Sequence, residues 1–172
     1  MSTQTGNNFS NNNIFNIDLS YLENCVSQLY NPNPNNQVKE YVEKVKNYYS
    51  INLNLIPNLF DFFTKSTIPQ FQFWDLDLLI NLTNNFYPHI PNETKQLIRQ
   101  LIISLIQNEL VKLYKIPYIS SKFCLFIITW LKYDYPQNFS SFFNDLIKQI
   151  INVKDNDLRM KYIIFLTLTY LI

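Results

Sequence analysis

Beyond Gly6 the chain contains no glycine. Phosphate loops, dinucleotide-binding turns and nucleophile elbows all place glycine where the backbone must approach a ligand or take a positive φ. None of them can be built from residue 7 to residue 172. Helices must also end without glycine in the left-handed cap position, and asparagine, the next most tolerant residue, is abundant at the breaks.

The remaining chemistry is narrow. His89, the sole histidine, sits between Tyr87-Pro88 and Ile90-Pro91 in a connector bounded by proline, and one such residue supports no Ser-His-Asp or Cys-His relay. Asp75 and Asp77 are two apart and point to different faces of a helix, while Asp155 and Asp157 sit in a turn where they most simply cap the helix that follows. Cys25 and Cys124 lie far apart with no CxxC and no histidine cluster, the pattern of buried thiols and not of a disulfide scaffold or zinc site. No enzyme activity, cofactor or metal is expected.

With 172 residues and 47% hydrophobic side chains, the chain can furnish a core for one ordinary domain. A net charge of +1 makes no global electrostatic case for nucleic acid or a membrane surface. The first residues, MSTQTGNNFSNNN, have neither a basic region nor an apolar run, so no secretory signal is read and an intracellular protein is expected. The longest apolar stretch, Tyr162 to Ile172, is shorter than the roughly 20 residues that span a bilayer. A buried helix is expected there, and a chain ending inside it suggests truncation of a longer array.

Helical periodicity accounts for the rest. Residues 1–15 form an Asn-rich tail with too little apolar surface to order, and residues 16–172 form the folded part. A short helix is expected from Ile17 to Tyr30, capped by Asp18 or Ser20, and another from Asn36 to Tyr49 with Val38, Tyr41, Val42, Val45 and Tyr48 on one face. A helix to about Lys65, with Pro57 in its first turn, makes the first hairpin with it. A helix from Gln70 bearing Phe73, Trp74, Leu78, Leu79, Leu82 and Phe86, and one from Asn92 bearing Leu97, Ile98, Leu101, Ile102, Leu105, Ile106 and Leu110, make the second.

The third is the best patterned. Ile119, Phe123, Phe126, Ile127, Trp130 and Leu131 precede the Tyr135-Pro136 break, and Phe139, Phe142, Phe143, Leu146, Ile147, Ile150 and Ile151 follow it. Pro136 cannot continue a helix, so the first member must stop near Asp134. A last helix from Leu158 has no partner. Starts near Asn36, Gln70, Tyr118 and Lys154 recur every 34 to 48 residues, the range of helical-repeat solenoids. The expected fold is therefore an all-α solenoid of antiparallel, HEAT-like helix pairs: about three pairs and one unpaired helix. A closed globular bundle is the alternative.

The aromatic content, 16%, would suggest base stacking if interleaved with Lys and Arg, but most rings fall on apolar faces. The polar faces are the candidate partner surface: Gln96, Arg99, Gln100, Ile103 and Gln107 on one helix, and Ser141, Asn144, Asp145, Lys148 and Asn152 on another. If second helices line the concave side of a solenoid, the two stripes join into one surface.

Lys122, Tyr135-Pro136, Phe139, Phe142-Phe143 and Asp145-Leu146 together resemble the N-terminal region of the exportins, in the importin-β superfamily. Ser121 stands where the family has Asn, and Phe139 where it has Trp. Gln96-Leu97-Ile98-Arg99, Ile103-Ser104 and Gln107, with Leu29 and Asn31-Pro32-Asn33, are most similar to the exportin-t branch, the tRNA export receptors. The resemblance implies a HEAT-repeat receptor that binds the GTPase Ran in its GTP state, passes nuclear pore proteins, carries tRNA and shuttles between nucleus and cytoplasm. Such receptors are several times longer, so the chain is expected to be an N-terminal fragment. A generic helical-repeat scaffold is the alternative.

Overall fold

A computed structural model describes residues 17–108, 116–145 and 148. Among them six α-helices follow in order: α1 Leu19–Leu29, α2 Asn36–Ile51, α3 Pro57–Lys65, α4 Pro69–Phe86, α5 Asn92–Asn108 and α6 Pro117–Asp134. Two 3-10 turns, Leu53–Leu55 and Tyr87–His89, interrupt the series, and a further helical turn covers residues 142–145. No described residue lies in a strand, and the fold is all-α. The tail expected at 1–15, the carboxylates Asp155 and Asp157, and the last helix from Leu158 lie outside the described residues.

Helix starts follow local chemistry. The Tyr21 amide donates to Asp18 Oδ1 at 2.9 Å, and the Gln37 amide to Asn35 Oδ1 at 2.9 Å; each satisfies a donor that the first turn leaves open. Pro57, Pro69 and Pro117 open α3, α4 and α6 instead, where the missing N–H costs nothing. The ends differ from expectation: no described residue takes a positive φ, so asparagine does not replace glycine in a left-handed cap. The Asn52 side-chain amide closes α2 by donating to the Tyr48 carbonyl at 2.8 Å. α3 and α6 run out into extended Ser66 and Tyr135, and α4 tightens into the 3-10 turn. The bond from Tyr135 to Pro136 is cis.

α4 is the organising helix. It packs most extensively against α6 and also against α3, α1 and α2, while α1 packs on α2 and α3 on α5. Thus α2, α4 and α6 stack as one row and α3 and α5 as a second, a repeat-like arrangement, with α1 packed on α2 and α4. Among helices consecutive in sequence, the pairs that pack closely are α1 with α2 and α3 with α4. That is one helix out of step with the expected hairpins α2/α3 and α4/α5.

The corner between α3 and α4 explains the shift. The Gln72 side-chain Nε2 donates to the carbonyls of Ser66 at 2.9 Å and Phe63 at 3.4 Å, and Ser66 Oγ accepts from the Ile68 backbone amide at 3.2 Å. A three-residue link is thereby folded tight. The links from α2 to α3 and from α4 to α5 each contain a 3-10 turn, which separates the helices that sequence order suggests should pair.

Burial follows the predicted faces closely on α6, where Ile119, Phe123, Phe126, Ile127, Trp130 and Leu131 are all buried. On α2, Tyr49 takes the inner place expected of Tyr48. α4 is buried on more than one face, from Phe71 and Trp74 to Leu76, Ile80 and Thr83, as a helix with neighbours on several sides must be. Phe60 meets Phe126 with ring centroids 5.7 Å apart, and Phe63 stacks on Phe123 at 6.3 Å; these contacts tie α3 to α6. Cys25 and Cys124 are buried and form no disulfide.

Candidate functional site

Pro136 stops α6 at Asp134, leaving a carboxylate at the helix C-terminus, the end where the macrodipole disfavours negative charge. Asp134 is also fully buried. It persists there because four donors converge on it. Arg99 on α5 grips it with two prongs, Nε to Oδ2 at 2.6 Å and Nη2 to Oδ1 at 2.8 Å. Tyr87, in the 3-10 turn, donates its hydroxyl to Oδ1 at 2.5 Å, and Trp130 Nε1 donates to Oδ2 at 2.8 Å. Forked guanidinium bonds to a carboxylate are among the strongest in proteins.

Burial pushes the Asp134 carboxyl up, but the hydrogen bonds from Arg99, Tyr87 and Trp130 and the charge of Arg99 outweigh it and hold the group below its ordinary value. Burial first, then the bond to Asp134, pushes the Tyr87 phenol up. The Tyr87 ring is wedged between Trp130, 5.2 Å away edge-on, and Tyr133, stacked at 5.0 Å, with the Lys95 ammonium 4.5 Å from its centroid. The cluster clamps α5 to α6, which otherwise pack little of their backbones together.

Next to the clamp, α5 and the segment after α6 enclose a cleft of about 350 Å³, lined by Arg99, Gln100, Ile103, Ser104 and Gln107 on one side and Phe139, Ser141 and Asp145 on the other. Six of the ten residues of the polar stripes, Arg99, Gln100, Ile103, Gln107, Ser141 and Asp145, thus meet in one place, and Asn152 lies outside the described residues. Gln96 and Asn144 are exposed outside the cleft lining. Lys148 pairs with Asp145 at 3.6 Å at the surface, a contact worth about 0–1 kcal/mol. Arg99 departs from the expected solvent-facing stripe: its side chain is only 19% exposed, because Asp134 draws it inward.

Sequence reasoning missed the clamp, although one signal was present. An acid in the last turn of a helix, ahead of a Tyr-Pro break, calls for a compensating cation. Which cation is a question of tertiary structure.

The residues behind the family resemblance divide: Tyr135, Pro136, Gln96 and Leu97 are exposed, and others pack inward. Lys122 forms an ion pair with Asp77 across α6 and α4, and Phe139 and Phe142 are buried. Asp75 and Asp77 do face apart, Asp75 into the core and Asp77 to Lys122. His89 is exposed in its turn. Among the described residues, no three or more His, Cys, Asp or Glu come together as metal ligands, and no helix is long and apolar enough to cross a membrane. The cleft offers two amides, two hydroxyls and one carboxylate, groups suited to hydrogen-bonding a polar partner. No protein family, no curated protein and no solved structure matches this chain.

Proposed function

We propose that the chain is a piece of a nuclear transport receptor of the exportin type, which holds Ran in its GTP state on a helical array and takes part in tRNA export. The observation that carries this reading is the pattern Lys122, Tyr135-Pro136, Phe139, Phe142-Phe143 and Asp145 at a helix break. Repeat-like stacking of an all-α chain supports it. The cleft between α5 and residues 139–145 is the partner face in this reading, with Gln100, Gln107 and Ser141 as its contact groups.

Phosphate recognition depends on unpaired Lys and Arg. The arginine that lines the cleft is already neutralised by Asp134. The chain alone is therefore expected to retain Ran and not tRNA, which is the cargo of a complete receptor. In a pull-down, GTP-loaded Ran is captured at least about tenfold better than GDP-loaded Ran, and Gln100→Glu with Gln107→Glu lowers capture about tenfold. Equal capture of both forms, or none, overturns the reading.

The second reading is a helical-repeat scaffold for another protein without transport activity. The uncharged side chains that make up most of the cleft lining favour a peptide-like partner in that case. Under it, the paired Gln substitutions leave Ran capture unchanged.

A further inference from the structure

Beside α4, three aromatic rings from three elements converge at the edge of the core, where Phe73 is only partly buried. Tyr30 at the end of α1, Phe73 on α4 and Tyr118 in the first turn of α6 line, with Gln70, a second cleft of about 400 Å³. This volume lies at the small end of ligand pockets, which run from about 300 to 1,000 Å³. Tyr30 is 53% exposed and Tyr118 50% exposed. Phe73 and Tyr118 have centroids 6.0 Å apart at 58°, so their faces are angled and not stacked shut.

The same place already attracts a cation. Lys122 Nζ lies 4.7 Å from the Phe73 centroid and pairs with the Asp77 carboxylate. Asp77 is half exposed and sits close enough to Tyr30 to raise its phenol, after burial and ahead of Tyr118. Aromatic faces carry negative potential and hold ammonium groups within about 6 Å of the centroid. Rings combined with a carboxylate suit a cation; a neutral apolar occupant would gain nothing from Asp77.

We propose that the cleft formed by Tyr30, Phe73 and Tyr118 beside Asp77 binds an alkylammonium group of the methylated or quaternary class. Lys122 is its internal competitor, since it occupies the Phe73 ring and neutralises Asp77. A methylated ammonium holds its water less tightly than a lysine ammonium, and so loses less on entering a ring-lined site. The inference stands independently of the transport reading.

The test is a titration of the full chain with choline and with choline's neutral carbon isostere, followed by the tyrosine ring signals in NMR. Choline is expected to saturate the site, with the isostere at least about tenfold weaker. Lys122→Gln tightens choline about three- to tenfold and leaves the isostere unchanged, and Tyr118→Leu weakens choline about tenfold. Equal binding of the two probes, or no saturation by choline in either the wild-type chain or Lys122→Gln, overturns the proposal. Should Lys122→Gln lose its helical circular dichroism, the choline-to-isostere ratio in the wild type and the half-exposed Tyr118→Leu variant decide it.

Discussion

Arg99→Met destabilises the fold by about 3–5 kcal/mol at neutral pH, the cost of leaving a buried charge without its partner. The substitution keeps the aliphatic bulk beside Asp134 and removes the forked donor. The carboxylate remains fully buried, with only Tyr87 and Trp130 to hold it. Arg99→Lys recovers part of the loss, because an ammonium matches the charge but not the two-pronged geometry. Urea unfolding of the two variants and of Asp134→Asn measures these effects, and the double variant Arg99→Met with Asp134→Asn costs less than the sum of its parts.

The pH dependence follows from the direction of the shift. Asp134 is held below its ordinary value in the folded state, so its contribution is fully present above the unfolded carboxyl pKa, about 3.9. It is lost as pH falls through the lowered folded value. In Arg99→Met this loss on acidification disappears. An unchanged acid limb in that variant would show that the clamp does not set it.

Asp75→Asn has the opposite sign and raises stability at neutral pH, by up to about 4 kcal/mol, since the unfolded chain no longer gains by releasing a proton that the folded chain keeps. Asp75 lies on α4 with no exposed surface, and neither carboxyl oxygen has a hydrogen-bond partner. Burial drives its pKa well above the ordinary value. The nearby Tyr49 phenol on α2 is itself raised, by burial first and then by Asp75.

A group raised in the folded state lends stability that is complete below the unfolded carboxyl pKa. As pH rises past that value, the unfolded chain releases a proton that the folded chain keeps, and stability falls by about 1.4 kcal/mol per pH unit until the folded value is passed. Asp75→Asn removes that slope while closely preserving shape. Stability curves for wild type and variant should converge in acid and separate as pH rises. Parallel curves would show that Asp75 is ionised or solvated in the fold.

Asp75 and Asp134 are both buried carboxylates, and apart from the Tyr-Pro break after Asp134 their immediate sequence names a partner for neither. Asp134 follows Lys132-Tyr133, and Asp75 follows Phe73-Trp74. Asp134 finds Arg99, 35 positions away, and Tyr87, 47 positions away. Asp75 finds only burial. Local pattern told helix faces apart correctly for Ile119 to Leu131, where one apolar stripe dominates. It failed at α4, whose polar positions Gln72, Asp75 and Thr83 are buried too, because a helix with neighbours on several sides buries more than its apolar stripe.

What the sequence by itself determined is the all-α class, the helix boundaries and most of the core. Proline, capping residues and a 3.6-residue period act over a few neighbouring positions, and glycine's absence removes the competing backbone devices. It also placed Gln100, Gln107, Ser141 and Asp145 on polar faces, though not in one cleft. Only the tertiary structure decided which helices pair, that Arg99 is committed to Asp134, and that Tyr30, Phe73 and Tyr118 share a site. Those outcomes depend on contacts between residues tens of positions apart, set by how tightly links such as 66–68 fold, and helical periodicity does not encode them.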